Sequence, residues 1–255
     1  MARASGLGAD VANWVVMLRS LVRPLVPDFA RPVFARQYRK YLKGGHFSIN
    51  DLDRQLEKYV DYDDGFYVEL GANDGASQSN TYYFELKRGW RGVLVEPAPH
   101  NYLKCQELRG RNNAVHCNAC VRFGFEEKFV EIKYADLMSV SVGMNSDLDS
   151  VDAHIDAGTD ARTKTFSFGA IARPLNDILR DSNAPKTIDV LSLDVEGAER
   201  EVLLGVDHDE FRFKFMLIEC RDVDKVKEIL EPAGYSVVDQ FSRHDFLFKD
   251  TRASA

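Results

Sequence analysis

From Phe66 onward, short apolar runs alternate with segments whose apolar residues recur at helical spacing. FYVELG (Phe66–Gly71), GVLVEP (Gly92–Pro97), NAVHCNACV (Asn113–Val121), TIDVLSLD (Thr187–Asp194) and FKFMLIEC (Phe213–Cys220) have the length and composition of buried strands. SNTYYFELKRG, HNYLKCQELR, RPLNDILRD, AEREVLLG and VDKVKEILEPAG, lying between them, carry the helical spacing. KFVEIKYA (Lys128–Ala135) reads as an extra strand. This alternation predicts a parallel sheet covered by helices on both faces. YSVVDQF and HDFLFKD close around Ser242-Arg243 as a tight hairpin, so the last strand must run antiparallel to its neighbour.

Ahead of this body the pattern changes. Val11, Trp14, Val15, Leu18 and Val22 fall at helical spacing with Arg19 and Ser20 opposite, and Pro24 and Pro27 end the stretch. A second helix, NDLDRQLEKYV, opens at Asn50, with Lys43-Gly-Gly-His46 as a linker before it. The chain thus divides into a basic helical extension over residues 1–47 and an α/β domain over 48–255. Residues 145–162 hold five aspartates and few apolar residues, a solvated loop by composition or a lid over a substrate cleft by length.

Charge sharpens that division. The 255-residue chain carries −7 overall, yet residues 1–43 hold eight Lys/Arg against two Asp, a surplus of +6 that leaves −13 for the rest. An acidic body argues against a general nucleic-acid binder. No apolar run reaches the roughly 20 residues that span a bilayer. Residues 11–26 instead suit either packing or a peripheral contact with an anionic membrane surface. Four cysteines indicate reduced thiols and a cytoplasmic setting. Cys117 and Cys120, three apart on an expected strand, would face opposite ways, and no second pair completes a zinc site.

The candidate chemistry lies at two strand ends. Gly71-Ala-Asn-Asp-Gly75 follows the first strand, and Glu96 ends the second, 25 residues after Gly71. Ligands bind at the carboxyl ends of parallel strands, and Glu96 is placed there to accept from both hydroxyls of a ribose. A dinucleotide site would want a third glycine under a pyrophosphate. Asp74 stands here instead, and an acid suits a ligand with an ammonium group and no phosphate, such as S-adenosylmethionine.

VELGANDG, LVEPAP, RPLNDIL and above all LSLDVEGAE (Leu191–Glu199) resemble the FkbM family of S-adenosylmethionine-dependent methyltransferases, over about residues 65–250. The resemblance implies a class I, Rossmann-like fold, a seven-stranded mostly parallel sheet with an antiparallel last strand. It also implies O-methylation of sugar hydroxyls in a glycan or glycolipid, or of small secondary metabolites. Carried over by motif, Glu69, Gly71, Asn73 and Gly75 would surround the methionine part of the cofactor. Glu96 would take the ribose, Pro97 and Ala98 would flank the adenine, and Asn118 and Ala119 would lie near its edge. Glu69 and Asn176 stand where the family commonly has Asp.

An alcohol needs a base, or a metal that lowers its pKa, before it attacks. Asp194 ends the central strand beside the glycine turn, where it would touch both cofactor and acceptor, with Glu196 and Glu219 close by. The competing reading makes Asp194 or Glu196 a cap for the following helix. His154, in the aspartate-rich loop, is a further candidate base if that loop closes, and His46 a weaker one; His100, His116 and His208 read as structural. The carboxylates could alternatively hold Mg²⁺. No Pro-Pro-aromatic surface for base stacking follows the fourth strand, which favours a hydroxyl acceptor over a nucleobase. A non-catalytic interaction protein on the same fold is the alternative from another class.

Overall fold

The computed structural model describes residues 45–135, 139–142 and 165–252. The helix expected over 11–22, the aspartate-rich segment over 145–162 and His154 lie outside the described residues. Residues from His46 onward form one compact unit.

A short helix, α1 (Leu52–Glu57), opens the described chain. There follow β1 (Phe66–Leu70), α2 (Tyr82–Arg88), β2 (Arg91–Val95), α3 (Pro99–Arg109) and β3 (Ala114–His116). Next come β4 (Ala119–Cys120), β5 (Phe129–Tyr134), β6 (Val140–Val142), β7 (Phe166–Arg173), α4 (Leu175–Asp181) and β8 (Thr187–Leu193). The chain ends with α5 (Glu199–Leu203), β9 (Arg212–Glu219), α6 (Val223–Leu230), β10 (Tyr235–Gln240) and β11 (Asp245–Asp250).

Seven strands form the main sheet in the order β10-β11-β9-β8-β1-β2-β3. β1 pairs in parallel with β2 and β8, β8 with β9, and β2 with β3, while β11 runs antiparallel to both β9 and β10. The continuous apolar runs explain this. β1, β2 and β8 are buried along nearly their whole length, so only strands covered on both faces fit them. On one face Val68, Val93, Leu191 and Met216 pack against Leu179 and Val202. On the other, Tyr67, Leu94, Val190 and Leu217 pack against Leu56, Phe84 and Trp90. Burying each such side chain contributes about 1.5–3 kcal/mol. Phe47, assigned above to the extension, is buried in this second layer, its amide donating to Asp53 Oδ2 at 2.6 Å.

NAVHCNACV departs from the expected single strand. It breaks after His116, whose carbonyl accepts the last ladder bond from Glu96 N at 3.0 Å, and the chain leaves the main sheet at Cys117. A second, four-stranded sheet follows, in the order β4-β7-β5-β6. Its core is Val121, Val130, Ile132 and Ala170. β7 was not expected, because FSFGAIAR leaves Phe166 and Ile171 exposed and shows no clean alternation. Asn176, beyond it, is a packing residue: Nδ2 donates to Glu210 Oε2 at 2.8 Å, and Oδ1 accepts from Asp207 N at 3.0 Å.

Candidate active site

The carboxyl ends of β1, β2, β8 and β9 open into a cavity of about 430 Å³, within the 300–1,000 Å³ typical of small-molecule sites. Of the residues singled out in the sequence, Gly71, Asn73, Glu96, Pro97, Asn118, Ala119, Asp194, Glu196 and Glu219 line it. Glu69, Gly75 and Ala98 do not, and His46 is stacked on Tyr83 instead.

The turn after β1 is held in an unusual backbone state. Gly71, Asn73 and Gly75 have φ of 79°, 47° and 83°. The amides of Gly71 and Ala72 both donate to Val95 O at 3.1 Å, tying the turn to the end of β2. Gly71 is required by the neighbouring strand whatever the ligand, because a Cβ there would lie 1.9 Å from Asp194 O. Gly71→Ala should therefore cost about 2–4 kcal/mol of folding stability, read by urea denaturation. A variant as stable as the parent would show that the strand ends move apart freely.

Glu96 is 7% exposed. Its Oε2 accepts from Asn73 N and its Oε1 from Ala98 N, both at 2.8 Å. Burial pushes its pKa up to about 7; those two amides pull it down, and nearby Asp74 adds to the rise. Asp74 itself turns away from the cavity lining, contrary to the reading that set it against a ligand ammonium. Its carboxylate closes the turn, accepting from Ala76 N at 3.0 Å, Ser77 N at 2.6 Å and Ser77 Oγ at 2.8 Å. Burial raises the Asp74 pKa, but these donors together hold it below the ordinary value.

At the other end of the cavity carboxyl groups gather. Asp194 directly follows β8 and is hydrogen-bonded to Glu219 at the end of β9. Burial, then the charges of Glu219, Glu196, Glu199 and Asp245, raise the Asp194 pKa well above the ordinary range. Burial and Asp245 raise that of Glu219 as well. The helix-cap reading of Asp194 and Glu196 is overturned. Ala198 occupies the N-cap of α5, and Glu199 Oε1 takes the turn amides, from Val195 N at 3.2 Å and Gly197 N at 3.0 Å.

Among the lining residues that the sequence did not single out are Asn80, Ser242, His244 and Asp245. The last three belong to the β10–β11 hairpin. An antiparallel strand begins where its parallel neighbours end, so this turn necessarily reaches the cavity, a signal present in the hairpin itself. Ser242 Oγ donates to Asp245, and His244 N donates to Ser242 Oγ at 3.1 Å. Asn80 Nδ2 donates to Ser192 Oγ at 3.0 Å, while Asn80 Oδ1 and His244 Nδ1 are buried without a hydrogen-bond partner. An orphan acceptor at Asn80 fits a ligand that brings a donor, as the ammonium of S-adenosylmethionine does. Among the described residues no group of three or more His, Cys, Asp or Glu is arranged to hold a metal ion, and no helix is long and apolar enough to cross a membrane. His116 Nε2 meets Ser182 Oγ at 2.8 Å, and His208 packs on Tyr235.

A family model described as the methyltransferase FkbM domain matches residues 69–237. No curated protein matches the chain closely enough to compare. Among solved structures the chain is similar to a TehB-like SAM-dependent methyltransferase from Corynebacterium glutamicum, at 8% identity over 86% of this chain and 97% of that one, with a TM-score of 0.40. It is similar to human methyltransferase 10 domain containing protein at 11% identity, 78% and 82% coverage and a TM-score of 0.41. A third is 1,6-didemethyltoxoflavin-N1-methyltransferase from Burkholderia thailandensis, at 14% identity, 98% and 91% coverage and a TM-score of 0.37.

Proposed function

Because the chain belongs to the FkbM family of methyltransferase domains, we propose that this S-adenosylmethionine-dependent methyltransferase acts on a hydroxyl group, that of a sugar in a glycan or glycolipid. The carrying observation is the character of the cavity wall. Among the described residues it contains no Phe, Tyr or Trp, and no Lys or Arg. Among the described residues a flat aromatic acceptor finds only the His244 ring to stack on, and a phosphate finds no Lys or Arg. Ser242, Asp245, Gln78 and Glu196 offer hydrogen bonds, which suit a polyhydroxylated acceptor.

S-adenosylmethionine supplies, when bound, a sulfonium methyl open to in-line attack. Glu96 accepts from the two ribose hydroxyls, with Asn118 and Ala119 near the adenine edge. Asn80 Oδ1 would receive a donor of the methionine part. The Asp194–Glu219 pair, once ionised, takes the proton of the acceptor hydroxyl; a raised pKa makes it the stronger base. Holding the acceptor in line supplies much of the remaining rate.

Calorimetric titration with S-adenosylhomocysteine tests the cofactor half. A carboxylate must be ionised to accept from both hydroxyls, and Glu96 titrates at about 7. Affinity should hold above that value and fall towards about tenfold per pH unit below it. A flat profile sinks the ribose assignment, and no binding at all sinks the cofactor reading. For the acceptor half, neutral oligosaccharides and glycolipids are incubated with labelled cofactor. Methylation on nitrogen or carbon in the product overturns the hydroxyl assignment.

A further inference from the structure

Beneath the glycine turn lies an ion network that no part of the mechanism uses. Arg109, at the end of α3, has a side chain with no solvent exposure. Its Nε donates to Glu85 Oε2 at 2.7 Å, and Nη2 donates to Tyr67 Oη at 2.6 Å and Thr81 Oγ1 at 2.9 Å. Nη1 reaches Glu69 Oε2 at 3.0 Å, Gly75 O at 3.1 Å and Ser79 Oγ at 3.1 Å. The Glu69 carboxylate in turn accepts from Ser79 Oγ at 3.0 Å, Asn80 N at 3.0 Å and Thr81 Oγ1 at 2.6 Å. A Cβ on Gly75 would stand 3.1 Å from Arg109 Cδ and 3.1 Å from Cys105 Sγ, so the arginine stem is the floor of the turn.

An apolar side chain of similar volume would fill this space without desolvating three charges, so stability alone is a poor reason for the network. What it provides is position. Two of the turn's three positive-φ residues are glycines, whose backbone is free to take many other states, so the surroundings have to select this one. The turn's first half is pinned by Val95 O and by Glu96. Its second half, from Gly75 to the start of α2, leans on Arg109 and Glu69. We infer that Arg109 is a positioning residue for the cofactor: through Gly75 O, Ser79 and Glu69 it sets the turn and the neighbouring Asn80 in their binding arrangement. Glu69 thus serves the cofactor from below, and its role of direct contact passes to that support.

This inference rests on the cofactor reading of the Gly71–Gly75 turn, and the test separates the two. S-adenosylhomocysteine is titrated into the wild type, Arg109→Lys, Thr81→Val and the remote core variant Phe248→Leu. Lysine keeps the charge but cannot span Gly75 O, Glu69 and Glu85 together. Arg109→Lys should weaken binding about ten- to a hundredfold by loss of preorganisation, and Thr81→Val should weaken it less, in the same direction. Phe248→Leu should lose thermal stability with unchanged affinity. With the ligand absent, hydrogen exchange at the amides of residues 73–80 should quicken in Arg109→Lys and Thr81→Val alone. Under turnover, KM for S-adenosylmethionine should rise while kcat at saturation is kept. If Arg109→Lys does not fold, Thr81→Val decides by the same two readouts. Wild-type affinity together with wild-type exchange in either folded variant overturns the inference. Failure of the wild type itself to bind overturns the cofactor reading, with the exchange result still reporting on the turn.

Discussion

Glu96→Ala loses about 2–3 kcal/mol of S-adenosylmethionine binding, roughly 30- to 150-fold in Kd, because a bidentate, charge-assisted acceptor disappears. The same carboxylate holds Asn73 N and Ala98 N, so Glu96→Gln is the cleaner partner. It keeps the shape and one acceptor while removing the charge. Its signature is a weakened Kd without a loss of stability at neutral pH. The sign follows from linkage. A folded pKa raised to about 7 means that the native state holds a proton that the unfolded chain has released. The carboxyl's contribution is therefore complete in acid and is lost as pH rises towards 7. A neutral amide escapes that loss. Near-wild-type affinity in both folded variants would sink the ribose assignment.

Asp194→Asn should lower turnover by about 10²- to 10⁴-fold while leaving S-adenosylhomocysteine affinity little changed. Stability should move the other way. The Asp194 pKa is raised in the folded state, first by burial and then by Glu219. Its stabilising contribution is complete below the unfolded value of about 4 and is lost as pH climbs through the folded value. Asparagine cannot ionise, so the variant should melt higher than the wild type at neutral and alkaline pH. A gain in Tm with a collapse in turnover identifies a residue kept for chemistry at the expense of the fold. Wild-type activity that survives EDTA assigns Asp194 as a base; activity lost and then restored by Mg²⁺ makes it a metal ligand. Full activity of a folded Asp194→Asn protein would falsify both roles.

How far the sequence spoke depended on whether a signal was local. The strands β1, β2, β8 and β9 were legible because burial on both faces writes itself as unbroken apolar runs. The antiparallel last strand was legible because a hairpin too short to cross over admits no other pairing. The break at Cys117 was not, since nothing local distinguishes a strand that stays from one that moves to a second sheet. β7 went unread for a related reason: its apolar residues face both ways, two of them into solvent. At the site, Gly71 and Glu96 announced themselves through spacing. Arg109 looked like an ordinary cation at a helix end, and only the fold shows it enclosed beneath the turn. Asp74 misled by charge, since its acid serves the backbone next to it. Asn80 and His244 depend on which strand ends meet, and that is a property of the whole sheet.

The hairpin between β10 and β11 carries one more consequence. Its turn meets the cavity from the side of the sheet where β9 ends, whereas the groups assigned to the methyl donor follow β1 and β2 or lie at Asn118–Ala119, beyond β3. Donor and acceptor are thereby served by stretches of chain far apart in sequence and joined only through β8. Residues 242–244 can drift without disturbing Glu96 or the glycine turn, so a lineage can change its clientele while keeping its fuel. For an engineer the same separation marks where to randomise: a library confined to Ser242, Arg243 and His244 explores new acceptors on an unaltered donor site.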